Sequence, residues 1–254
     1  MPEDAKAQLI TVADGVYVRQ AVDNMTWTDL GDYAIAVDAL EQPELESEVF
    51  QAIQSTLGDR PVRYLLNTHT HGDHTALNPA FQRRYGSQVV NQRAADIAPE
   101  GRWFEGARRR VQMLPMPGVH SGEDCIVWVP DARVLCSGDL FGWGMIPLVG
   151  GLTDEVAEDL MDAYSRMLEL EPRAVVPGHG PLASARELKR FVDYFRWLCE
   201  AVRGAAAGAS ERELQKAVPP PDDMRDWWRF ASAKHPRNVG IVARAVGRGF
   251  DWPG

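Results

Sequence analysis

Residues 65–75 read LLNTHTHGDHT, so three histidines and one aspartate fall within six positions directly after an apolar run. The chain has only six histidines, and His69, His71 and His74 are half of them. Side chains of an extended segment alternate between two sides, so His69 and His71 face the same way. Imidazole nitrogens and carboxylate oxygens are ligands for zinc, iron or manganese. The cluster therefore predicts a metal site at the end of a strand.

Three further segments each place one histidine or aspartate where a strand-like run ends. MPGVHSG presents His120 after a Pro-Gly turn, CSGDLF presents Asp139, and VVPGHG presents His179. Catalytic groups of sheet proteins are usually carried by such loops. A lone histidine there is more often only a hydrogen-bonding residue, but five such histidines with two matching aspartates do not fit that explanation. We therefore expect these segments to share the metal site.

The order HTHGDH, PGVH, SGDLF and PGHG resembles the metallo-β-lactamase superfamily, whose HxHxDH motif is highly specific; the resemblance covers residues from about 10 to 200. It implies a four-layer αββα sandwich with the site at one edge, between the two sheets. It also implies two sets of metal ligands and one bridging aspartate. The first set is His69, His71 and His120, the second set is Asp73, His74 and His179, and the bridge is Asp139.

The implied cofactors are two divalent ions, with zinc as the default and iron or manganese as alternatives. Paired metal ions activate a shared water and polarise a substrate carbonyl or phosphoryl group. The implied mechanism is attack by a metal-bridging hydroxide, with Asp73 and Asp139 as the catalytic carboxylates and Asp73 guiding a proton. The β-lactamases of this superfamily carry Cys or Ser at the position of Asp139, so we do not expect a true β-lactamase.

The loop LFGWGMIPLVGG after Asp139 is apolar, and we expect it to form one wall of the substrate pocket. The wall residues would be Phe141, Trp143, Met145 and Ile146. Such a wall suits an acyl chain or ring, so we expect hydrolysis of an ester, thioester or lactone with an apolar acyl part. A carrier-bound polyketide thioesterase or cyclase is one form of this prediction. The alternatives are a phosphodiesterase or nuclease, and an iron-dependent redox member of the superfamily.

The composition of the chain limits the classes of partner that it is expected to bind. The 254 residues carry a net charge of −9, from 36 acidic and 27 basic side chains, which disfavours a duplex nucleic-acid binder. The N-terminus lacks a signal-peptide pattern, and no run reaches the roughly 18 apolar residues of a membrane span. Three cysteines form no even disulfide framework. We expect a cytoplasmic protein with a small-molecule or carrier-bound acyl substrate, without a nucleic-acid or membrane partner; a homodimer is left open.

The surrounding sequence alternates strand-like and helix-like segments in two similar halves. PVRYLLNT is a β-rich run that ends at the histidine cluster, whereas PELESEVFQAIQSTLG and TDEVAEDLMDAYSRMLEL have apolar residues at helical spacing. DCIVWVP and RVLCSGD predict a hairpin around Pro130-Asp131. This alternation predicts a layered α/β fold with helices outside the sheets.

Two regions carry further expectations. Residues 93–112 look irregular and Arg-rich, which predicts an insertion; Arg108, Arg109 and Arg110 within it are expected to form a solvated face, with an acidic carrier as the alternative partner. Residues 206–254 are predicted to form a helical C-terminal cap that packs on a metallo-β-lactamase-like domain of residues 1–205. His235 in this cap is expected to begin a helix and not to bind metal.

Overall fold

The computed structural model describes residues 6–93, 97–142, 151–205, 208–227 and 230–252. These residues form eleven strands and six α-helices. The strands are β1 (Gln8–Ala13), β2 (Val16–Gln20), β3 (Met25–Asp29), β4 (Ala34–Val37), β5 (Val62–Leu66), β6 (Gln88–Val90), β7 (Arg102–Glu105), β8 (Arg110–Pro115), β9 (Cys125–Val129), β10 (Val134–Gly138) and β11 (Ala174–Pro177). The helices are α1 (Glu46–Leu57), α2 (Asn78–Tyr85), α3 (Asp154–Glu169), α4 (Ala185–Gly204), α5 (Glu211–Ala217) and α6 (His235–Val246).

The strands form two mixed sheets. The first has the order β1-β2-β3-β4-β5-β6, and the second has the order β11-β10-β9-β8-β7. The hairpin-connected strands pair antiparallel, whereas β4, β5 and β6 are parallel to one another, as are β10 and β11. Parallel strands end at the same edge of a sheet, so the loops after β4, β5, β10 and β11 lie at defined edges.

Three apolar layers hold the two sheets and the helices together. One lies between the sheets and includes Val18 and Ile35 of the first sheet and Val127 of the second. Another packs α1 and α2 on the first sheet, and the largest packs α3 to α6 on the second sheet. In β9, Val127 faces the other sheet while Ile126 and Trp128 face the helices, which is the period of two expected for a strand covered on both faces. The predicted αββα order is therefore observed.

The helices begin where the sequence supplies capping groups. The Thr153 side chain accepts a hydrogen bond from Val156 N at the start of α3. Ser184 and Glu187 form a reciprocal capping box at the start of α4. Such caps satisfy backbone N–H groups that have no partner inside the helix, and each contributes about 1 kcal/mol. They fix the first turn of α4 shortly after His179.

The expectation of an irregular insertion at residues 93–112 is wrong. β7 and β8 occupy most of its second half and pair as an antiparallel hairpin. Phe104 and Val111 face each other across this hairpin and are buried between the sheets. Along β8 the buried Val111 and Met113 alternate with more exposed residues, a short period-of-two pattern that the surrounding arginines obscure in the sequence.

The C-terminal helices share the apolar core of the sandwich. Leu214 of α5 and Val239 of α6 belong to the same buried cluster as Phe191 and Leu198 of α4. The predicted boundary between residues 205 and 206 stays a prediction.

The three cysteines, Cys125, Cys136 and Cys199, are buried and form no disulfide bond. Within the described ranges, no helix combines the length and apolar character needed to cross a membrane.

Candidate metal centre

The predicted ligands meet at one edge of the sandwich, between the two sheets. The loop after β5 carries the HTHGDH segment, the loop before β9 carries His120, and the turns after β10 and β11 carry Asp139 and His179. Backbone hydrogen bonds join these loops: Cys125 N donates to Thr68 O at 2.7 Å, and Asn24 N donates to Gly178 O at 2.8 Å. The two sheets are thereby tied together at the site.

The first ligand set brings three imidazole nitrogens to one point. His71 Nδ1 lies 3.0 Å from His69 Nε2 and 3.1 Å from His120 Nε2. Ligand nitrogens held 2.0–2.1 Å from a tetrahedral zinc ion are about 3.3 Å apart, close to these separations. The convergence of three imidazole nitrogens at these separations fits a bound cation.

The second ligand set, Asp73, His74 and His179, converges with the bridging Asp139. One ligand atom from each of Asp73, His74, Asp139 and His179 lies within 4.8 Å of all the others. His179 Nε2 is 3.2 Å from Asp73 Oδ2. His74 Nε2 and Asp139 Oδ1 lie 3.4 Å apart, outside hydrogen-bond geometry, and both are buried with no hydrogen-bond partner in the described part of the chain. Leaving such atoms unpaired is costly, and one cation between them would satisfy both.

Asp139 connects the two sets. Its Oδ2 lies 3.3 Å from His120 Nε2 of the first set and 3.4 Å from His179 Nε2 of the second. Its Oδ1 faces His74. One buried carboxylate thus reaches ligands of both sets, which is the geometry expected of a bridge between two ions.

Two aspartates that the sequence analysis missed support the second set from behind. His179 Nδ1 donates a hydrogen bond to Asp23 Oδ1 at 2.8 Å, and Asp38 Oδ2 lies 3.1 Å from His74 Nδ1. Carboxylates in this position fix the ring orientation of a ligand histidine. Both follow β-rich runs, QAVD and IAVD, which is the same signal that identified Asp139.

Thr68 extends this support to the first set. Its backbone N–H and hydroxyl both donate to Asp38, at 2.8 and 3.0–3.1 Å. Since the hydroxyl proton is used there, the contact of 3.2 Å between Thr68 Oγ1 and His69 Nδ1 requires His69 to be the donor. His69 therefore carries its proton on Nδ1 and leaves Nε2 free to bind metal.

The electrostatics of the two sets differ. In the first set, burial lowers the pKa of His69 to about 4, and burial also lowers the pKa of His120. In the second set, burial opposes protonation, but the hydrogen bonds with Asp139, Asp23 and Asp73 outweigh it and raise the pKa of His179 to about 12. Asp38 and Asp139 likewise overcome burial and raise the pKa of His74 to about 10.

The carboxylates of the second set are correspondingly held ionised. The hydrogen bond with His179 lowers the pKa of Asp73 to about 2. Burial would raise the pKa of Asp139, but its contacts with His179 and His74 hold that pKa well below the usual range. The metal-free second set is therefore a cluster of imidazolium and carboxylate groups, in which a metal ion would replace protons.

Gly178, the glycine before His179, is required for this packing. A Cβ at that position would overlap Asp139 Oδ1 and the His74 ring. This explains why a PGHG turn, with no side chain ahead of the histidine, presents His179.

The segment after His74, TALNP, departs from the usual motif of the family but leaves the ligands in place. Helix α2 begins at Asn78, and Asn67 Nδ2 donates to both His74 O and Asn78 Oδ1.

Of the four residues predicted to form the pocket wall, Phe141 lies within the described residues. Phe141 has no exposed surface and packs edge-on against Phe191 in the core between the second sheet and the helices. Its role as a wall residue is therefore corrected to that of a core residue, because a side chain without exposed surface cannot contact a substrate. Trp143, Met145 and Ile146 lie outside the described residues.

The arginine cluster lies away from the metal ligands. Arg108 pairs with Asp14 and Asp29, and Arg109 Nη2 donates to Asp14 O at 2.8 Å and lies 3.3 Å from Asp131. Asp131 precedes β10, whereas Asp139 follows it, so the cluster is at the opposite end of that strand. Arg110 stacks on the exposed Trp103, 4.2 Å from the ring centroid.

His235 begins α6, as predicted, and lies outside the two ligand sets. Its Nε2 donates to Val218 O at 2.7 Å, so its Nδ1 accepts from the Tyr194 hydroxyl at 2.8 Å. The histidine is buried and joins the C-terminal helices to α4.

Comparisons with curated proteins identify hydrolases and a demethylase. The chain is 26% identical over 211 residues, 77% of its length, to 2,4-dinitroanisole O-demethylase subunit alpha from Nocardioides sp. strain JS1661. It is 28% identical over 125 residues, 46% of its length, to hydroxyacylglutathione hydrolase from Rhizobium meliloti strain 1021. The chain spans 61% and 47% of the lengths of these two relatives.

The fold and the family agree with the ligand pattern. A solved metallo-β-lactamase family protein from Thermus thermophilus superposes with a TM-score of 0.64 at 17% identity, covering 94% of this chain and 95% of that one. The family description for the metallo-beta-lactamase superfamily matches residues 24–117 and 90–179, which is more than half of the chain and includes all seven predicted ligands. Sequence match, fold and convergent ligands lead to one conclusion: the chain belongs to the metallo-β-lactamase superfamily.

Proposed function

We propose that the protein is a dinuclear metal-dependent hydrolase that cleaves an ester, thioester or lactone with an apolar acyl part. The observation that carries this proposal is the placement of Asp139 between two convergent ligand sets, 3.3 Å from His120 and 3.4 Å from both His74 and His179. A buried carboxylate within reach of both ligand sets supports a two-ion hydrolytic site, because one carboxylate can bind two neighbouring ions. Zinc is the proposed metal, with iron or manganese as alternatives.

When bound, two divalent ions supply Lewis-acid polarisation of the substrate and an activated water. The protein residues hold and orient these components. Asp139 is buried and holds the two ligand sets in register, whereas the Asp73 side chain is 33% exposed and keeps an ionised oxygen available to orient a water or accept its proton. His71 is exposed and His120 is half-buried, so we infer that the substrate approaches from the first-set side.

The names of the two relatives support two classes of substrate for this chain. The relative from Rhizobium meliloti is a hydrolase of an acylated glutathione, which supports an acyl thioester. The relative from Nocardioides is named an O-demethylase of an aryl methyl ether, and it matches a larger share of the chain. Hydrolytic cleavage of an activated aryl ether is therefore the second candidate function. Trp143, Met145 and Ile146 remain the proposed wall of the pocket for either substrate.

A substrate panel on metal-analysed protein tests the proposal. We expect thioesters or lactones with aromatic or medium-length acyl groups to turn over faster than bis(p-nitrophenyl) phosphate, because the apolar loop offers each buried methylene about 0.8 kcal/mol. Faster turnover of 2,4-dinitroanisole than of every acyl substrate would favour the second candidate. Faster phosphodiester cleavage, or about one or no ion per active chain, would contradict the proposal.

Trp143→Ala tests the wall separately from the metal site. If the indole contacts the acyl part, the KM for bulky acyl substrates should rise more than the KM for acetyl substrates. Phe141→Leu is the matched control, since Phe141 is a core residue and this change should alter stability without altering acyl selectivity. Equal effects of Trp143→Ala on all acyl sizes would remove Trp143 from the pocket.

A further inference from the structure

Glu123 lies beside the first ligand set, in the loop that carries His120, and has two partners in other loops. Its Oε2 accepts a hydrogen bond from Thr70 Oγ1 at 2.6 Å. Its Oε1 accepts from Arg93 Nε at 2.6 Å and lies 2.5 Å from a second Arg93 nitrogen. One carboxylate thus joins the loop after β6, the HTHGDH loop and the His120 loop.

The position of Thr70 gives this contact its meaning. Thr70 is the residue between His69 and His71, so its side chain points away from the direction shared by the two ligands. Glu123 is three residues after His120, in a turn closed by Asp124, which accepts hydrogen bonds from His120 N at 2.8 Å and from Ser121 Oγ at 2.7 Å. The bond from Thr70 to Glu123 therefore connects the two segments that carry the three first-set nitrogens.

The first set has particular need of such a connection. His74 and His179 each have a buried carboxylate behind the ring, and His69 has Thr68. Among the described residues, His71 has no hydrogen-bond partner on Nε2, and its ring is exposed. Its orientation depends on its backbone, which Thr70 adjoins.

We propose that Glu123 is a positioning residue for the first metal ion: it holds the His69–His71 segment at a fixed distance from His120, with Arg93 orienting its carboxylate. The inference rests on the proposed two-ion site. An exposed ion pair by itself contributes little, and Arg93 is 73% exposed. The Glu123 side chain, however, is only 19% exposed, and a hydroxyl bond to a carboxylate is among the stronger kinds.

The experiment measures the two zinc dissociation constants of the full chain by competition with a chromophoric chelator. Glu123→Ala and Thr70→Val should each weaken one of the two constants by about fivefold, less than the 10- to 100-fold cost of losing a direct outer partner of a ligand, because Glu123 acts on the ligands through Thr70. Glu123→Gln keeps an oxygen acceptor for Thr70 and should recover most of the loss. Asp23→Ala should weaken the other constant, which assigns the two ions to their ligand sets.

One control variant and one spectroscopic measurement separate the inference from its alternatives. Glu46→Gln removes the charge of another exposed pair, Arg83–Glu46 on α1 and α2, and should leave both constants unchanged. Cobalt-loaded Glu123→Ala should show an altered visible spectrum, because coordination geometry changes while the ligands remain. If Glu123→Ala does not fold, Thr70→Val alone decides.

The outcomes distinguish this inference from the proposed function. A wild-type chain that binds two ions, together with Glu123→Ala and Thr70→Val constants within twofold of wild type, would overturn the role of Glu123 only. The same holds if Glu123→Ala weakens both constants equally. A wild-type chain that binds no second ion would overturn the proposed two-ion function, and the Glu123 inference with it.

Discussion

The two ligand sets are built differently although they share Asp139. The first set consists of histidines, includes the exposed His71, and is supported by a hydroxyl and by the half-buried Glu123. In the second set His74, Asp139 and His179 are buried, and further carboxylates stand behind the histidines. The first set therefore consists of imidazoles that extend from the buried His69 to the exposed His71, while the second set is a buried charged cluster.

This difference assigns distinct tasks to the two ions. A buried ion surrounded by carboxylates is held by stronger electrostatic attraction, because the local dielectric is lower. An ion held by neutral, partly exposed imidazoles keeps access to a substrate from solvent. We therefore expect the second-set ion to be retained more firmly and the first-set ion to exchange more readily.

The largest expected effect is that of Asp139→Ala, which removes what the two sets have in common. Activity should fall by roughly two or more orders of magnitude, since the two ions lose their shared ligand. The fold should stand, because Asp139 lies at the rim of a sandwich held by its own apolar layers. Turnover, metal content and far-ultraviolet circular dichroism are the measurements; unchanged turnover would exclude the bridging role.

Asp23→Ala tests the support of the second set alone. His179 would lose the acceptor that lies 2.8 Å from its Nδ1, so the second-set ion should bind about 10- to 100-fold more weakly. Asp23→Asn keeps an acceptor oxygen and should lose less. The two zinc dissociation constants are the readout, and equal weakening of both would show that the supports are not separate.

The pH dependence of metal binding should differ between the sets. Near neutral pH, His74 and His179 carry protons in the metal-free protein, since their pKa values are raised to about 10 and about 12. His69, with a pKa of about 4, is already neutral. Loading the second set must therefore release protons, and falling pH should weaken that ion more than the first.

Calorimetric titration in two buffers of different ionisation enthalpy counts these protons. We expect about one to two protons released with one ion and few with the other. Equal proton release for both ions would contradict the electrostatic contrast between the sets.

The ligands themselves could be predicted from sequence, whereas their supports could not. Histidine and aspartate at strand ends, with alternation inside HTH, identify a metal site because this spacing places the ligand atoms on the same side of the chain. Asp23 supports His179 from 156 residues away, and Glu123 meets Thr70 from 53 residues away. Such contacts depend on how two sheets pack, which no local pattern encodes.

The same distinction explains the two corrections. Phe141 follows Asp139 closely, which suggested the pocket, but the chain turns it towards Phe191 in the core. β7 and β8 are short and Arg-rich, and only their pairing shows that Phe104 and Val111 face the core together. The arginines in the sequence indicate the solvent-exposed face of this hairpin. Its buried face is determined by tertiary packing.

The smallest expected effect concerns Thr68, where the supports of the two sets meet. Thr68→Val removes the hydroxyl that donates to Asp38 and accepts from His69 Nδ1, but it keeps the backbone bond to Asp38 at 2.8 Å. Two hydrogen bonds are lost, and the loss of each costs about 1 kcal/mol, which corresponds to about fivefold in affinity. The first-set ion should be weakened by about fivefold and the second-set ion by less, because His69 loses the partner that fixes its tautomer, while His74 keeps Asp38. A larger loss at the second-set ion would mean that Thr68 acts mainly by orienting Asp38, and the two sets would then be coupled through that carboxylate as well as through Asp139.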